Sequence, residues 1–225
     1  MDKNKFCFIM CGNNEIFVQE ALLYISQLKV PNGFCVDTLV VYEAESMTAG
    51  YNEAMQASDA KYKIYLHQDV LILNRNLLFD CLKIFEDEEI GMLGVVGNVK
   101  LPKDGSPWSD GPGVRIGEVM VDLISEKKYS VFAKISESCR DVAVIDGLFM
   151  ATQYDLPWRQ DLFQGFDMYD CSQSMEFWRA GYRVVVPRME QPWCFHDNDI
   201  LNLQNYDRWR KIFVKEYYND YRRWI

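Results

Sequence analysis

Histidine is scarce in this chain, with two in 225 residues, and basic side chains are outnumbered: 24 Lys and Arg stand against 33 Asp and Glu, a formal net charge of −9. That shortage argues against nucleic acid as a partner, because phosphate contacts need clustered Lys and Arg. A phosphorylated ligand would need a local basic pocket or a divalent cation. Paired cysteines are missing too. The seven, at 7, 11, 35, 81, 139, 171 and 194, form no Cys-x-x-Cys and no zinc spacing, and their number is odd. Reduced, mostly buried thiols in a cytoplasmic protein account for them. No apolar run approaches the roughly 18 residues of a membrane span, and the N-terminal run "FCFIMC" is too short for a signal peptide. The expectation is a soluble, cytoplasmic chain without repeats or low-complexity tracts.

What is present is core-forming material, 49% hydrophobic and 14% aromatic. A chain of this length can bury about 70% of its unfolded surface in one large domain. Short apolar runs alternate with amphipathic stretches. Strands are predicted at 6–11, 36–43, 62–67 and 91–97, and helices at 15–28, 46–58 and 76–89. This alternation predicts an α/β fold with a mainly parallel central sheet and flanking helices. A glycine- and proline-rich run over 97–117 reads as a long functional loop. Strand-like runs follow near 116–124 and 129–135, then "VAVIDGLFMAT" (142–152), a strand broken at Asp146-Gly147. A helix over 167–182 stops at Gly181, "RVVVP" is a short strand, and a last helix runs from about 199 to 222.

The stretch "YKIYLHQDVLIL" (62–73) interrupts a buried strand with His67, Gln68 and Asp69. Ligands of α/β sheets bind beyond the carboxyl ends of strands, and residues i and i+2 of an extended segment point the same way. His67 and Asp69 could thus present an imidazole and a carboxylate to one point, a start on a site for Mn²⁺ or a similar cation. The second histidine, His196, also adjoins an acid, in "FHDN". The plainer alternative is that both histidines are hydrogen-bonded structural residues.

Four motifs, in order, carry a resemblance: "FIMCGNNE", "ESMTAGYNEAMQASDAKYKIYLHQD", "IDGLFMAT" and "GFDMYDCSQSMEFWRAGYRVVVP". Together they run from about 6 to 197 and resemble the family-two glycosyltransferases of GT-A fold, more narrowly the glycosyltransferase-like domain named after a streptomycin-biosynthesis protein. The chain departs from that pattern in places. His67 stands where the usual Asp-x-Asp begins, the acidic run after the second strand reads "YEAESMT", and the acids before the late helix read "DMYD".

The resemblance implies a single domain over 1–225, with a nucleotide-binding half (about 1–97), an acceptor half (about 98–197) and a C-terminal helix (about 198–225). It implies transfer of a sugar from a nucleotide-diphosphate donor, expected to be a UDP-sugar, to a glycan or small-molecule acceptor, with inversion. A divalent metal, Mn²⁺ or Mg²⁺, would be held by Asp69, His67 and His196. Asn13, Asn14, Glu43, Asn52, Gln68 and Asp69 would contact the donor, and Trp108, Asp146 and Gly147 the acceptor. Asp167 or Asp170 would be the base; as plainer alternatives, Asp167 caps the helix and Asp170 suits its dipole. A non-catalytic nucleotide- or glycan-binding module of the same fold is the rival reading, and a metal-dependent phosphoesterase or nucleotidyltransferase a third. Residues 201–225 carry six Lys and Arg against three acids, a local +3, with aromatics Tyr206, Trp209, Phe213, Tyr217 and Trp224 at helical spacing. They read as a terminal helix packed on the core, or as a homodimer or membrane-surface contact.

Overall fold

The computed structural model describes residues 1–107, 114–123, 126–197 and 203–225. Strand β1 (Asp2–Gly12) is buried on both faces from Phe6 to Met10, as a strand inside a parallel sheet must be. Asn14 caps α1 (Glu15–Ser26) by accepting from the Ile16 N–H, and the helix buries Val18, Ala21 and Ile25. Strand β2 (Cys35–Tyr42), helix α2 (Met47–Ala57) and strand β3 (Ala60–Leu66) continue the alternation. Next come β4 (Val70–Ile72), α3 (Leu77–Ile84), β5 (Ile90–Gly94) and β6 (Val96–Asn98). Beyond them lie β7 (Arg115–Leu123), β8 (Glu126–Val131), β9 (Cys139–Asp141), β10 (Val144–Ile145) and β11 (Phe149–Thr152). Helix α4 (Tyr169–Arg179), β12 (Arg183–Pro187), β13 (Cys194–Asp197) and α5 (Tyr206–Tyr221) complete the order.

Two sheets form. One has seven strands in the order β2-β1-β3-β11-β5-β12-β9; the other runs β10-β6-β7-β13-β4, with β8 on β7. The α/β fold is as expected, and β2-β1-β3 and β5-β12 pair in parallel. The whole sheet, however, is mixed rather than mainly parallel. Strand β11 enters antiparallel between β3 and β5, and β9 is antiparallel to β12. Every residue of β11 is buried, so its sequence looks like that of a parallel core strand.

Three connections cross between the sheets. The chain leaves β3 for β4 through His67–Asp69, β5 for β6 through Val95, and β10 for β11 through Asp146–Leu148. The predicted continuous strand 142–152 is therefore two strands in two sheets, and its Asp146-Gly147 break is the crossing. Because β3 and β11 are neighbours, two of the crossings lie side by side.

Several element ends differ from the sequence reading. Helix α3 stops at Ile84, eight residues long, and leaves the acidic run 86–89 outside it. Helix α4 starts at Tyr169, with Met168 in the N-cap position in left-handed backbone (φ 63°), so Asp167 is not the cap. Gly181, at φ 87°, ends α4 as expected. Helix α5 starts at Tyr206, and residues 198–202 fall outside the described residues. Its aromatic stripe faces inward: Trp209, Phe213, Tyr217 and Tyr221 pack with Phe163, Met168 and Met175. Arg179 pairs with Glu216 and Asp220, and Ser172 and Tyr217 share a hydroxyl contact at 2.9 Å, so α5 clamps α4 in place. The basic face of α5, not its aromatic stripe, is left for solvent. No helix among the described residues is long and apolar enough to cross a membrane.

Asn52, expected to contact a donor, has a structural position instead. Its amide nitrogen donates to the Trp158 carbonyl (2.9 Å) and Gln160 Oε1 (3.0 Å), and its oxygen accepts from the Trp158 N–H (2.8 Å). The side chain is buried and fully spent on joining α2 to the 158–160 segment. Asn52→Ala leaves the Trp158 N–H and carbonyl unpaired, which should destabilise the fold by about 2 kcal/mol; a shift of the urea midpoint at constant slope would register that loss.

Candidate functional site

Four segments meet where the crossings lie. The β3–β4 turn carries His67, Gln68 and Asp69; β13 carries His196; the β10–β11 turn carries Asp146 and Gly147; the start of α4 carries Tyr169 and Asp170. Backbone pairing brings them together. Strand β13 pairs antiparallel with β4, His196 opposite Val70. The Asp197 N–H donates to the Asp69 carbonyl at 2.9 Å, and the His67 N–H to the Leu148 carbonyl at 3.2 Å.

The expected convergence of Asp69 with both histidines is present. His67 Nδ1 is 3.5 Å from His196 Nε2 and 3.9 Å from Asp69 Oδ1. His196 Nε2 is 3.4 Å from Asp69 Oδ1, and one donor atom from each residue falls within a 4.8 Å cluster. Asp69 Oδ1 is buried and has no hydrogen-bond partner. A buried carboxylate oxygen left unpaired is costly. Two imidazole nitrogens and a carboxylate oxygen at these separations resemble ligands held about 2.1 Å from a common ion. The residues therefore fit a divalent cation, and the imidazoles favour Mn²⁺ over Mg²⁺.

The electrostatics agree with that fit. Burial, and then the like charge His196 would carry, hold His67 below the usual imidazole range, against the pull of Asp69 and Asp146. It is a neutral imidazole with a lone pair to give. Burial pushes Asp69 up, but the two imidazoles outweigh it, and its carboxyl lies below the usual range. Burial, reinforced by the neighbouring Asp146 carboxylate, pushes Asp170 up to about 7. Its Oδ2 accepts from the Gly147 N–H at 2.9 Å and its Oδ1 from the Cys171 N–H at 2.7 Å.

Tyr169 was not among the candidates, yet it sits at the centre. Its hydroxyl is 2.5 Å from His67 Nε2, and the residue is buried. A Cβ on Gly147 would collide with that hydroxyl, so the Asp146-Gly147 pair is explained by the space it leaves for Tyr169. The contact spans 102 residues of sequence, and no local pattern announces it.

The other candidates separate into groups. Gln68 Oε1 accepts from both the Asn13 and Asn14 N–H groups at 2.9 Å, and its amide donates to Asn13 Oδ1 at 2.6 Å. These three residues staple the β1–α1 turn to the β3–β4 turn. Glu43 is exposed just after β2, in left-handed backbone (φ 56°) that is unusual for a side-chain-bearing residue. Asp167 is half-buried with no hydrogen bond or ion pair among the described residues, and burial alone pushes its carboxyl up. Trp108 lies outside the described residues. A separate cavity of about 1470 Å³, lined by Arg75, Lys83, Arg183 and Trp193 among others, shares no residue with this cluster.

Comparison with known proteins follows the same lines. Residues 7–217 match the sequence profile of a family described as the glycosyltransferase like family. No curated protein matches the sequence. Among solved structures, the mannosyltransferase PcManGT of Pyrobaculum calidifontis, in complex with GDP-Man and Mn²⁺, is 13% identical at a TM-score of 0.57, over 95% of this chain and 64% of that one. S. aureus TarS 1–349 is 12% identical at 0.56, over 97% and 73%; its complex with UDP is 11% identical at 0.55, over 88% and 60%. This chain thus spans about two thirds of the mannosyltransferase. At such identities the likeness shows the fold alone.

Asp170 should leave a pH signature. Its folded value of about 7 lies above the ordinary 3.8, so the folded state binds the proton more tightly. The stability it contributes is complete below about pH 4 and is lost as pH rises through about 7. Relative to Asp170→Asn, chelator-treated wild type should lose up to about 1.4 kcal/mol per pH unit across that window. Urea denaturation of both proteins at several pH values measures this, and a difference that does not change with pH contradicts it.

Proposed function

The chain belongs to the glycosyltransferase-like family and has the GT-A fold, and from that premise we propose that it moves a sugar from a nucleoside-diphosphate donor to an acceptor hydroxyl, with a divalent cation held by Asp69, His67 and His196. The observation that carries the reading is the buried, unpaired Asp69 Oδ1 facing two imidazole nitrogens. In a chain of net charge −9, such a site is the readiest way to hold a diphosphate. Bound there, Mn²⁺ supplies positive charge against the negative charge that grows on the departing diphosphate.

This chain's own residues would do the rest. Asp170, tuned near neutrality, takes the proton of the attacking hydroxyl. Asp146 and Gly147 line the floor beside it and face the acceptor. The turn stapled by Asn13, Asn14 and Gln68, with Glu43 at the end of β2, borders the nucleoside. A single base supports inversion at the sugar carbon. The solved structures with UDP, UDP-GlcNAc and GDP-Man support a nucleotide-sugar donor, and a UDP-sugar is our choice among them. Seven unpaired cysteines fit a cytoplasmic, reducing setting. One transferase domain with an N-terminal donor half and a C-terminal acceptor half is the organisation this implies.

Calorimetric titration with UDP, with and without Mn²⁺, tests the donor site. Asp69→Ala should weaken Mn²⁺-dependent UDP binding by about 100-fold or more; undiminished binding removes Asp69 from the site. Binding without any sugar transfer across a panel of nucleotide sugars would favour the non-catalytic module. Asp170→Asn should keep donor affinity and lower turnover by about 10²- to 10⁴-fold. If Asp170→Asn stays fully active and Asp167→Asn does not, the base is Asp167.

A further inference from the structure

We propose that Tyr169 is a positioning residue for the cation site: its phenol oxygen accepts the Nε2–H of His67, and this fixes the imidazole tautomer that leaves Nδ1 free to ligate. The inference rests on the reading of Asp69, His67 and His196 as cation ligands.

Geometry divides the two ring nitrogens of His67. Nδ1 faces His196 Nε2 at 3.5 Å and Asp69 Oδ1 at 3.9 Å. Nε2 faces Tyr169 Oη at 2.5 Å. A neutral imidazole carries one hydrogen, so a lone pair at Nδ1 requires that hydrogen on Nε2, where the phenol oxygen is in place to accept it. Metal-bound imidazoles are held in this way by an acceptor behind the second nitrogen, which sets both ring orientation and tautomer. Here the acceptor is a phenol on a helix, not a carboxylate.

The phenol is itself over-determined. Tyr169 is 4% exposed, and its ring meets Tyr51 edge-on at 5.9 Å between centroids and Trp158 at 6.3 Å. Gly147 leaves the space that the hydroxyl occupies, and the Asp170 carboxylate holds the Gly147 N–H at 2.9 Å. Those contacts fix the oxygen from the ring side and from the crossing side. Without the hydroxyl, the ring packing would survive but His67 would lose what orients it.

The experiment compares chelator-treated wild type, Tyr169→Phe and Asp69→Ala, titrated with Mn²⁺ alone and read by the electron paramagnetic resonance of free Mn²⁺. Tyr169→Phe should bind Mn²⁺ about 10- to 100-fold more weakly than wild type. In wild type loaded with diamagnetic Zn²⁺, ¹⁵N NMR of His67 should show Nε2 protonated and Nδ1 ligated; this reading stands even if the Phe variant fails to fold. Equal Mn²⁺ affinity in wild type and Tyr169→Phe, with Asp69→Ala weaker, overturns the role of Tyr169 and leaves the cation site intact. A Zn²⁺-loaded His67 protonated at Nδ1 also overturns it. Wild type binding Mn²⁺ no better than Asp69→Ala removes the cation site, and the inference with it.

Discussion

The antiparallel pairing of β13 with β4 is the constraint on which the candidate site depends. It sets His196 opposite Val70 and ties the Asp197 N–H to the Asp69 carbonyl. Two residues 127 positions apart in the chain are thereby brought to 3.4 Å, His196 Nε2 to Asp69 Oδ1. The short β4 exists only because the chain leaves the large sheet at His67–Asp69, so the crossing that breaks the apolar run also builds the cluster. Backbone hydrogen bonds of a ladder are the right device for this, because they fix positions without using the side chains that must stay free.

Burial then gives these side chains their chemistry. The same low-dielectric surroundings hold His67 neutral, leave an Asp69 oxygen without a partner and raise Asp170 toward neutrality. An exposed loop with the same residues would have an ordinary imidazole and ordinary carboxylates. The clamp of α5 on α4 belongs to this logic, since α4 begins with Tyr169 and Asp170 and its packing decides where they stand. Met168, in left-handed backbone just before them, marks the bend by which the chain enters the helix with both side chains turned to the crossing.

Much of the architecture was legible in the residues. Asn14 and Ser46 cap α1 and α2, Gly181 ends α4, and the buried runs of β1, β3 and β12 are strands. The mixed sheet was not legible. Strand β11 is apolar throughout, and direction leaves no mark on a strand buried on both faces. Asp167 looked like a cap because an acid before an amphipathic run usually is one; the helix starts later, beyond Met168. Asn52 looked like a ligand contact because an amide in a polar stretch carries no sign of whether its partner is a donor molecule or the Trp158 backbone.

By itself the sequence determined the alternation of elements, the acid and imidazole that interrupt the third strand, and the motifs shared with a family. Those features are local, set by periodicity, capping and composition within a few residues. Only the tertiary structure decided that His67 has Tyr169 on one ring nitrogen and Asp69 with His196 on the other, and that Gly147 makes room for the phenol. Contacts between residues 100 or more positions apart depend on sheet order and strand direction, which a chain acquires only when its strands have chosen their neighbours.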